Sequence, residues 1–333
     1  MSRMRRALPL AMLFAALLSS RCALAQEGVT LHAPTRIPPG VPVFIDTDIG
    51  DDVDDAYAVA EALSDPRLKV VGMAGAFGDT ALRARMLNGL AKLAGRTDIP
   101  IAAGTKTVNP TEFSQRAWAE KQEAPAPLTA VEAMRRAILA HPGLVILELA
   151  PERNLADLLR EDPATFHKVG RIALMGGAVR QGYSPGSKPV AEYNIAQDVA
   201  SAQAVFAAGV PLEVYPLDST LAMPDAAEKA RLAAAKSPFA ATLVELTRMH
   251  DAASKYGTTL YDVVPVLAVA EPAICPLTPM RLVVDAQGFT REAAGAANAK
   301  VCMKLDEGNF WERLNGDLGG GPIDATRTSQ MLR

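Results

Sequence analysis

The chain has 333 residues, a formal net charge of −3 and 49% hydrophobic residues. That length exceeds a common domain but suits one large α/β unit with a sizeable core. Near-neutral charge without a basic run argues against a nucleic-acid-binding surface, where Lys and Arg cluster on one face, and points to a small-molecule partner.

At the N-terminus, Arg3, Arg5 and Arg6 precede an apolar run from Ala7 to Leu18, and Ala23-Leu24-Ala25 offers the small-residue pattern cut by signal peptidase. The run falls short of the roughly 20 apolar residues of a membrane span. Residues 1–25 are therefore expected to be a cleaved export signal, giving a periplasmic or secreted chain with no membrane attachment. A lipid anchor on Cys22 fits less well, because Ser19, Ser20 and Arg21 precede it. Cys275 and Cys302 remain after cleavage, either as a disulfide or as two buried thiols. The expected layout continues with an extension over 26–40, one domain over 41–315 and a Gly-rich tail over 316–333.

From Val41 onward, short apolar runs alternate with helical patterns. Strands are expected at Val43–Ile45, Lys69–Ala74, Leu144–Leu149, Arg171–Met175 and Leu212–Leu217. Helices are expected at Asp55–Leu63, Thr80–Leu93, Ala130–Ala140, Leu155–Arg160 and Val199–Ala207. Thr129 and Glu132 have capping-box spacing at the start of the third helix. The alternation predicts a doubly wound α/β fold, a mostly parallel central sheet flanked by helices. The loose segments are Pro110–Pro127 and the tail after Asn315. In such sheets ligands bind beyond the carboxyl ends of the strands.

Directly after the first strand stand Asp46, Asp48, Asp51, Asp52, Asp54 and Asp55, with Gly50 allowing a sharp turn. Like charges this close raise one another's pKa, and a bound hard cation relieves them. Calcium fits best, because it accepts several carboxylates in a flexible shell. Capping of the following helix uses one or two aspartates, so six are too many for that role alone.

Asp46-Thr47-Asp48-Ile49-Gly50 followed by Asp54-Asp55-Ala56 resembles the N-terminal signature of the inosine-uridine preferring nucleoside hydrolase family. That family usually places one residue between the glycine and the paired aspartates; here Asp51, Asp52 and Val53 intervene. Leu149-Ala150-Pro151-Glu152-Arg153-Asn154-Leu155-Ala156, Met175-Gly176-Gly177-Ala178, Ala191-Glu192-Tyr193-Asn194 and Tyr261-Asp262 resemble further family blocks in the same order. The resemblance covers nearly the whole mature chain and implies calcium-dependent hydrolysis of the N-glycosidic bond of a ribonucleoside, with homo-oligomers common among relatives.

Carried over position by position, the resemblance implies Asp48 as general base and metal ligand. Asp55, Asp262 and the backbone carbonyl of Arg153 would complete the protein shell. Asp54, Glu192 and Asn194 would hold ribose hydroxyls; a plain helix-start cluster is the other reading of the last two. Asp79 replaces the Asn of the family's Gly-Asn and is expected near the sugar. Tyr261 replaces a histidine that protonates the leaving base in purine-cleaving relatives, and a phenol with a pKa near 10 is a weak donor at neutral pH. His250 reads first as a surface histidine on a helix, with a place in a flap over the base as its functional alternative. Tyr256 is an equal flap candidate, and Asp51 or Asp52 would substitute for Asp54 under a different register.

A haloacid-dehalogenase-type phosphatase also begins with Asp-x-Asp, but Gly50 stands where that family has Thr or Val. A periplasmic protein that binds a ribosyl ligand without cleaving it would not require so many carboxylates.

Overall fold

A computed structural model describes residues 40–319. The expected export signal and nearly all of the expected extension lie outside the described residues, as does the tail from 320. Among the described residues there are ten strands: β1 Val41–Thr47, β2 Leu68–Gly75, β3 Ile101–Ala103, β4 Val145–Leu149, β5 Arg171–Met175, β6 Leu212–Tyr215, β7 Leu277–Met280, β8 Leu282–Val284, β9 Thr290–Glu292 and β10 Ala299–Cys302. Eight form one sheet in the order β3-β2-β1-β4-β5-β6-β10-β7, parallel except for β7 against β10, while β8 and β9 pair separately. The sheet is flanked by helices, as the alternation predicts.

Within β1 the two-residue period of a strand divides the core. Val43 and Ile45 enter one buried cluster and Phe44 the other, so the strand is covered on both faces. Each fully buried side chain of this size contributes about 1.5–3 kcal/mol relative to exposure. The chain winds outward from β1 through β2 and β3, then returns to lay β4 on the other side of β1. Connections on the two sides diverge there, which opens a crevice beyond the carboxyl ends of β1 and β4. The register pairs Asp46 with Glu148 and Thr47 with Leu149 at that edge.

The expected strand at 212–217 ends at Tyr215 because Pro216 cannot donate to the ladder, and Leu217 opens a short helix. Pro110–Pro127, expected to be loose, holds the helix Arg116–Ala119 and the buried side chains of Phe113, Gln115 and Trp118. The last helix, Glu307–Leu318, runs past the expected boundary at 315. Cys275 and Cys302 are joined in a disulfide with their Cα atoms 5.6 Å apart, which resolves the two alternatives left by the sequence. Among the described residues no helix is long and apolar enough to cross a membrane.

Candidate active site

A cavity of about 990 Å³ lies at the crevice, lined by Asp48, Asp51, Asp52, Asp54, Asp55, Glu192, Asn194, His250, Tyr256, Tyr261 and Asp262 among others. The acidic turn is shaped by its backbone. Gly50 has φ +122°, and an added Cβ would lie 2.2 Å from the Phe113 ring. Phe113 belongs to a strap that grips the turn: the Gln115 backbone N–H donates to Gly50 O at 3.0 Å, Ser114 Oγ donates to Asp51 O at 2.7 Å, and Gln115 Nε2 donates to Asp52 O at 2.6 Å.

Arg83 braces the turn from below. Its side chain is fully buried, with Nη1 donating to the carbonyls of Asp48 and Ile49, Nε to Phe77 O at 2.7 Å, and Nη2 to Asp51 Oδ2 at 2.8 Å. Asn109 Nδ2 donates to the same Asp51 oxygen at 2.5 Å. Asp51 is thus held as a counter-charge for Arg83 and is a poor stand-in for Asp54. No sequence pattern announces Arg83, which reads as one polar residue in the helix Thr80–Leu93.

Asp54 and Asp55 begin the helix Asp54–Ser64, and Asp262 stands at the start of the helix Val263–Ala270, which packs against it. Two helix N-termini therefore point at the carboxylates, and their partial positive charge favours anions there. The Asp262 N–H donates to Asp54 Oδ2 at 3.2 Å, and Thr47 Oγ1 donates to Asp55. Asp54, Asp55 and Asp262 each present an oxygen within 4.8 Å of the other two. All three are buried, and burial together with the neighbouring carboxylates pushes their carboxyls up, Asp55 to about 7. An all-carboxylate donor set crowded in this way fits a hard, oxygen-seeking cation.

Asp48 lines the same cavity beside this trio, and its carboxyl is raised well above the usual range, first by burial and then by the Asp55 charge. The tight grouping thus contains Asp54, which the sequence assigned to the sugar, rather than Asp48.

Glu192 caps the helix Tyr193–Gln197. Its Oε1 accepts from Asn194 N at 3.0 Å, and its Oε2 accepts from Gly177 N at 2.9 Å and Ile195 N at 3.3 Å. Asn194 Nδ2 donates to Met175 O at 3.2 Å. Both residues are helix-start groups and cavity-lining groups at once, so the two readings of them are compatible.

Asp79 and Arg153 are not among the lining residues. Asp79 caps the helix Thr80–Leu93, its carboxylate accepting from Leu82 N at 3.3 Å, which uses it locally. The side chain of Arg153 pairs with Asp157 and Asp198, each at 3.4 Å, and the residue opens the helix Arg153–Glu161, whose carbonyls run along the helix axis.

His250 is buried, contrary to its reading as a surface residue. It is 4% exposed, and its Nε2 lies 3.2 Å from Asp52 Oδ1, which joins the helix Ala240–Ala253 to the inserted turn. Tyr256 is 82% exposed at the cavity rim. Tyr261 meets Tyr183 edge-on with ring centroids 6.3 Å apart, and burial pushes its phenol up to about 12. No motif singles out Tyr183, whose hydroxyl accepts from Tyr193 N at 2.8 Å.

A family model described as inosine-uridine preferring nucleoside hydrolase matches residues 43–312. The chain is 30% identical over 306 residues to the pyrimidine-specific ribonucleoside hydrolase RihA of Citrobacter koseri, covering 82% of this chain and 96% of that protein. It is 29% identical over 292 residues to the probable uridine nucleosidase 2 of Arabidopsis thaliana, covering 81% and 89%. Among solved structures, a plant nucleoside hydrolase superposes with a TM-score of 0.73 at 23% identity, covering 85% of this chain and all of that one.

Proposed function

Because this chain belongs to the inosine-uridine preferring nucleoside hydrolase family and is an N-ribosyl hydrolase, we propose that it is calcium-dependent and uses Asp48 as the base that activates the attacking water. The observation that carries this reading is the buried trio Asp54, Asp55 and Asp262 with Asp48 beside it in one cavity. When bound, the cation supplies a positive centre that acidifies water and holds vicinal hydroxyls in register. Asp54, Asp55 and Asp262 are the residues that would hold it.

Cleavage of an N-glycosidic bond by water passes through a ribosyl cation-like state, so it needs a proton acceptor for the water, anchors for the sugar and help for the leaving base. Asp48, unprotonated, accepts the proton. Glu192 and Asn194, fixed by their backbone bonds, face the hydroxyls. The excess negative charge of the cavity favours the developing cation over the neutral ground state.

Help for the base falls to His250, the only histidine among the lining residues, since the half-buried Tyr261 phenol holds its proton too tightly. The curated relatives named above carry pyrimidine or uridine in their names, which supports pyrimidine ribonucleosides as the preferred substrates. An exported, periplasmic location remains the reading of the N-terminal residues.

The test is a panel of uridine, cytidine, inosine and adenosine, read for free ribose with and without EDTA. Release that EDTA abolishes and calcium restores is expected, fastest with pyrimidines. Tight binding of a nucleoside without release would sink the reading in favour of a binding protein.

A further inference from the structure

A second set of buried acids lies at the other end of the helix Asp54–Ser64, and the hydrolytic reaction does not use it. Glu61, Asp65 and Asp317 are 0%, 2% and 9% exposed, and each presents an oxygen within 4.8 Å of the other two. Glu61 comes from the first helix, Asp65 caps its end, and Asp317 belongs to the last helix, Glu307–Leu318, which packs against the first.

Three observations set this group apart from an ordinary salt-bridge network. Neither carboxylate oxygen of Glu61 has a hydrogen-bond partner although the residue is fully buried, and the strongest charge acting on it is the like charge of Asp317. An unpaired buried carboxylate is too costly to leave uncompensated.

Counter-charge is also short. Arg67 reaches Asp65 at 2.6 Å, Glu271 at 2.7 Å and Asp317 at 3.3 Å, and Arg313 reaches Glu271 at 2.6 Å. Fully ionised, the four carboxylates would exceed the two guanidinium groups by two negative charges. The helix end adds to the problem: it carries partial negative charge, and its last turn has no basic residue.

We propose that Glu61, Asp65 and Asp317 form a second cation site, which takes a hard divalent ion of the calcium type and ties the first helix to the last. The donors are all carboxylate oxygens, close enough together for one ion with oxygen ligands at about 2.4 Å. One divalent charge equals the excess. Arg67, with 24% of its side chain exposed, covers the site from solvent. The role is structural, and it stands or falls independently of the reaction assigned to the cavity.

The experiment measures calcium stoichiometry on EDTA-stripped full-length protein by calorimetry and elemental analysis. Wild type is expected to bind two calcium ions per chain. The Asp55→Asn/Asp262→Asn protein is expected to retain one, with calcium still raising Tm by on the order of 5 °C. Adding Glu61→Gln or Asp317→Asn to it should abolish both the binding and the shift. Glu61→Gln alone should release ribose at a rate within about twofold of wild type at saturating calcium. A single ion per wild-type chain, or no calcium response in the Asp55→Asn/Asp262→Asn protein, overturns the proposal and leaves a proton shared between Glu61 and Asp317. If the variants fail to fold, the wild-type stoichiometry alone decides.

Discussion

His250 Nε2 sits 3.2 Å from Asp52 Oδ1, so a residue of the inserted turn touches a residue nearly 200 positions later across the cavity mouth. On the other ring nitrogen, His250 Nδ1 lies 3.3 Å from Asp251 Oδ1. A ring held between two carboxylates at the cavity is placed to pass a proton to a departing base.

His250→Asn is therefore expected to lower kcat on uridine by about 10²–10³, the usual share of a general acid. An aryl riboside whose phenolate leaves without a proton should lose less than about tenfold. Asp52→Asn should show the same substrate split in weaker form. Equal losses on both substrates would assign His250 to folding or sugar binding instead.

Asp48→Asn is expected to reduce kcat by about 10²–10⁴ while leaving KM near its wild-type value. Stability should hold or rise, because the substitution removes one of several like charges in a buried cluster. The acid must be unprotonated to accept a proton from water, so kcat/KM of wild type should fall as pH falls through the raised Asp48 value. Steady-state kinetics and thermal melts on one preparation check both halves. Wild-type kcat retained by a folded Asp48→Asn protein would rule Asp48 out as the base.

Much of this arrangement was legible in the sequence because it follows from local pattern. Thr80–Leu93, Ala130–Ala140, Val199–Ala207 and Arg171–Met175 appear with the predicted bounds, since apolar periodicity and caps such as Asp79 and Thr129 act within a few residues. The acidic turn and the Tyr261-Asp262 pair were visible as motifs. What stayed hidden depends on distant contacts: Arg83 under Asp48, the strap through Phe113 and Gln115, and the burial of His250. Glu148 was hidden for another reason. It lies within an otherwise apolar strand whose five residues are all buried, and burial with the adjacent Asp46 charge raises its carboxyl well above the usual range. The later strands β7 to β10 have three or four residues each, too few for a periodicity to show.

Metal-free protein should lose stability as pH rises. Asp46 and Asp55 have carboxyls pushed up to about 7 from 3.8, burial being the largest cause in each. Between those values the folded chain holds protons that the unfolded chain has released, so the unfolding free energy falls with increasing pH across that window. At about 1.4 kcal/mol per pH unit the effect amounts to a few kcal/mol. Melts in EDTA should therefore drop by several degrees from pH 5.5 to 8, and saturating calcium should shrink the drop by holding Asp55 ionised. A Tm in EDTA that is flat or rises over that range contradicts the burial argument.

Gly50→Ala is expected to cost both stability and turnover, by two mechanisms that can be separated. The backbone there has φ +122°, a region that non-glycine residues occupy at about 1–3 kcal/mol, and the new methyl group would collide with the Phe113 ring at 2.2 Å. Phe113→Ala in the same chain removes the collision and leaves the backbone strain. Ribose release should therefore stay at least about tenfold down in both variants. Full recovery of turnover in the double variant would show that the clash alone, and not the glycine conformation, sets the position of Asp48 and Asp54.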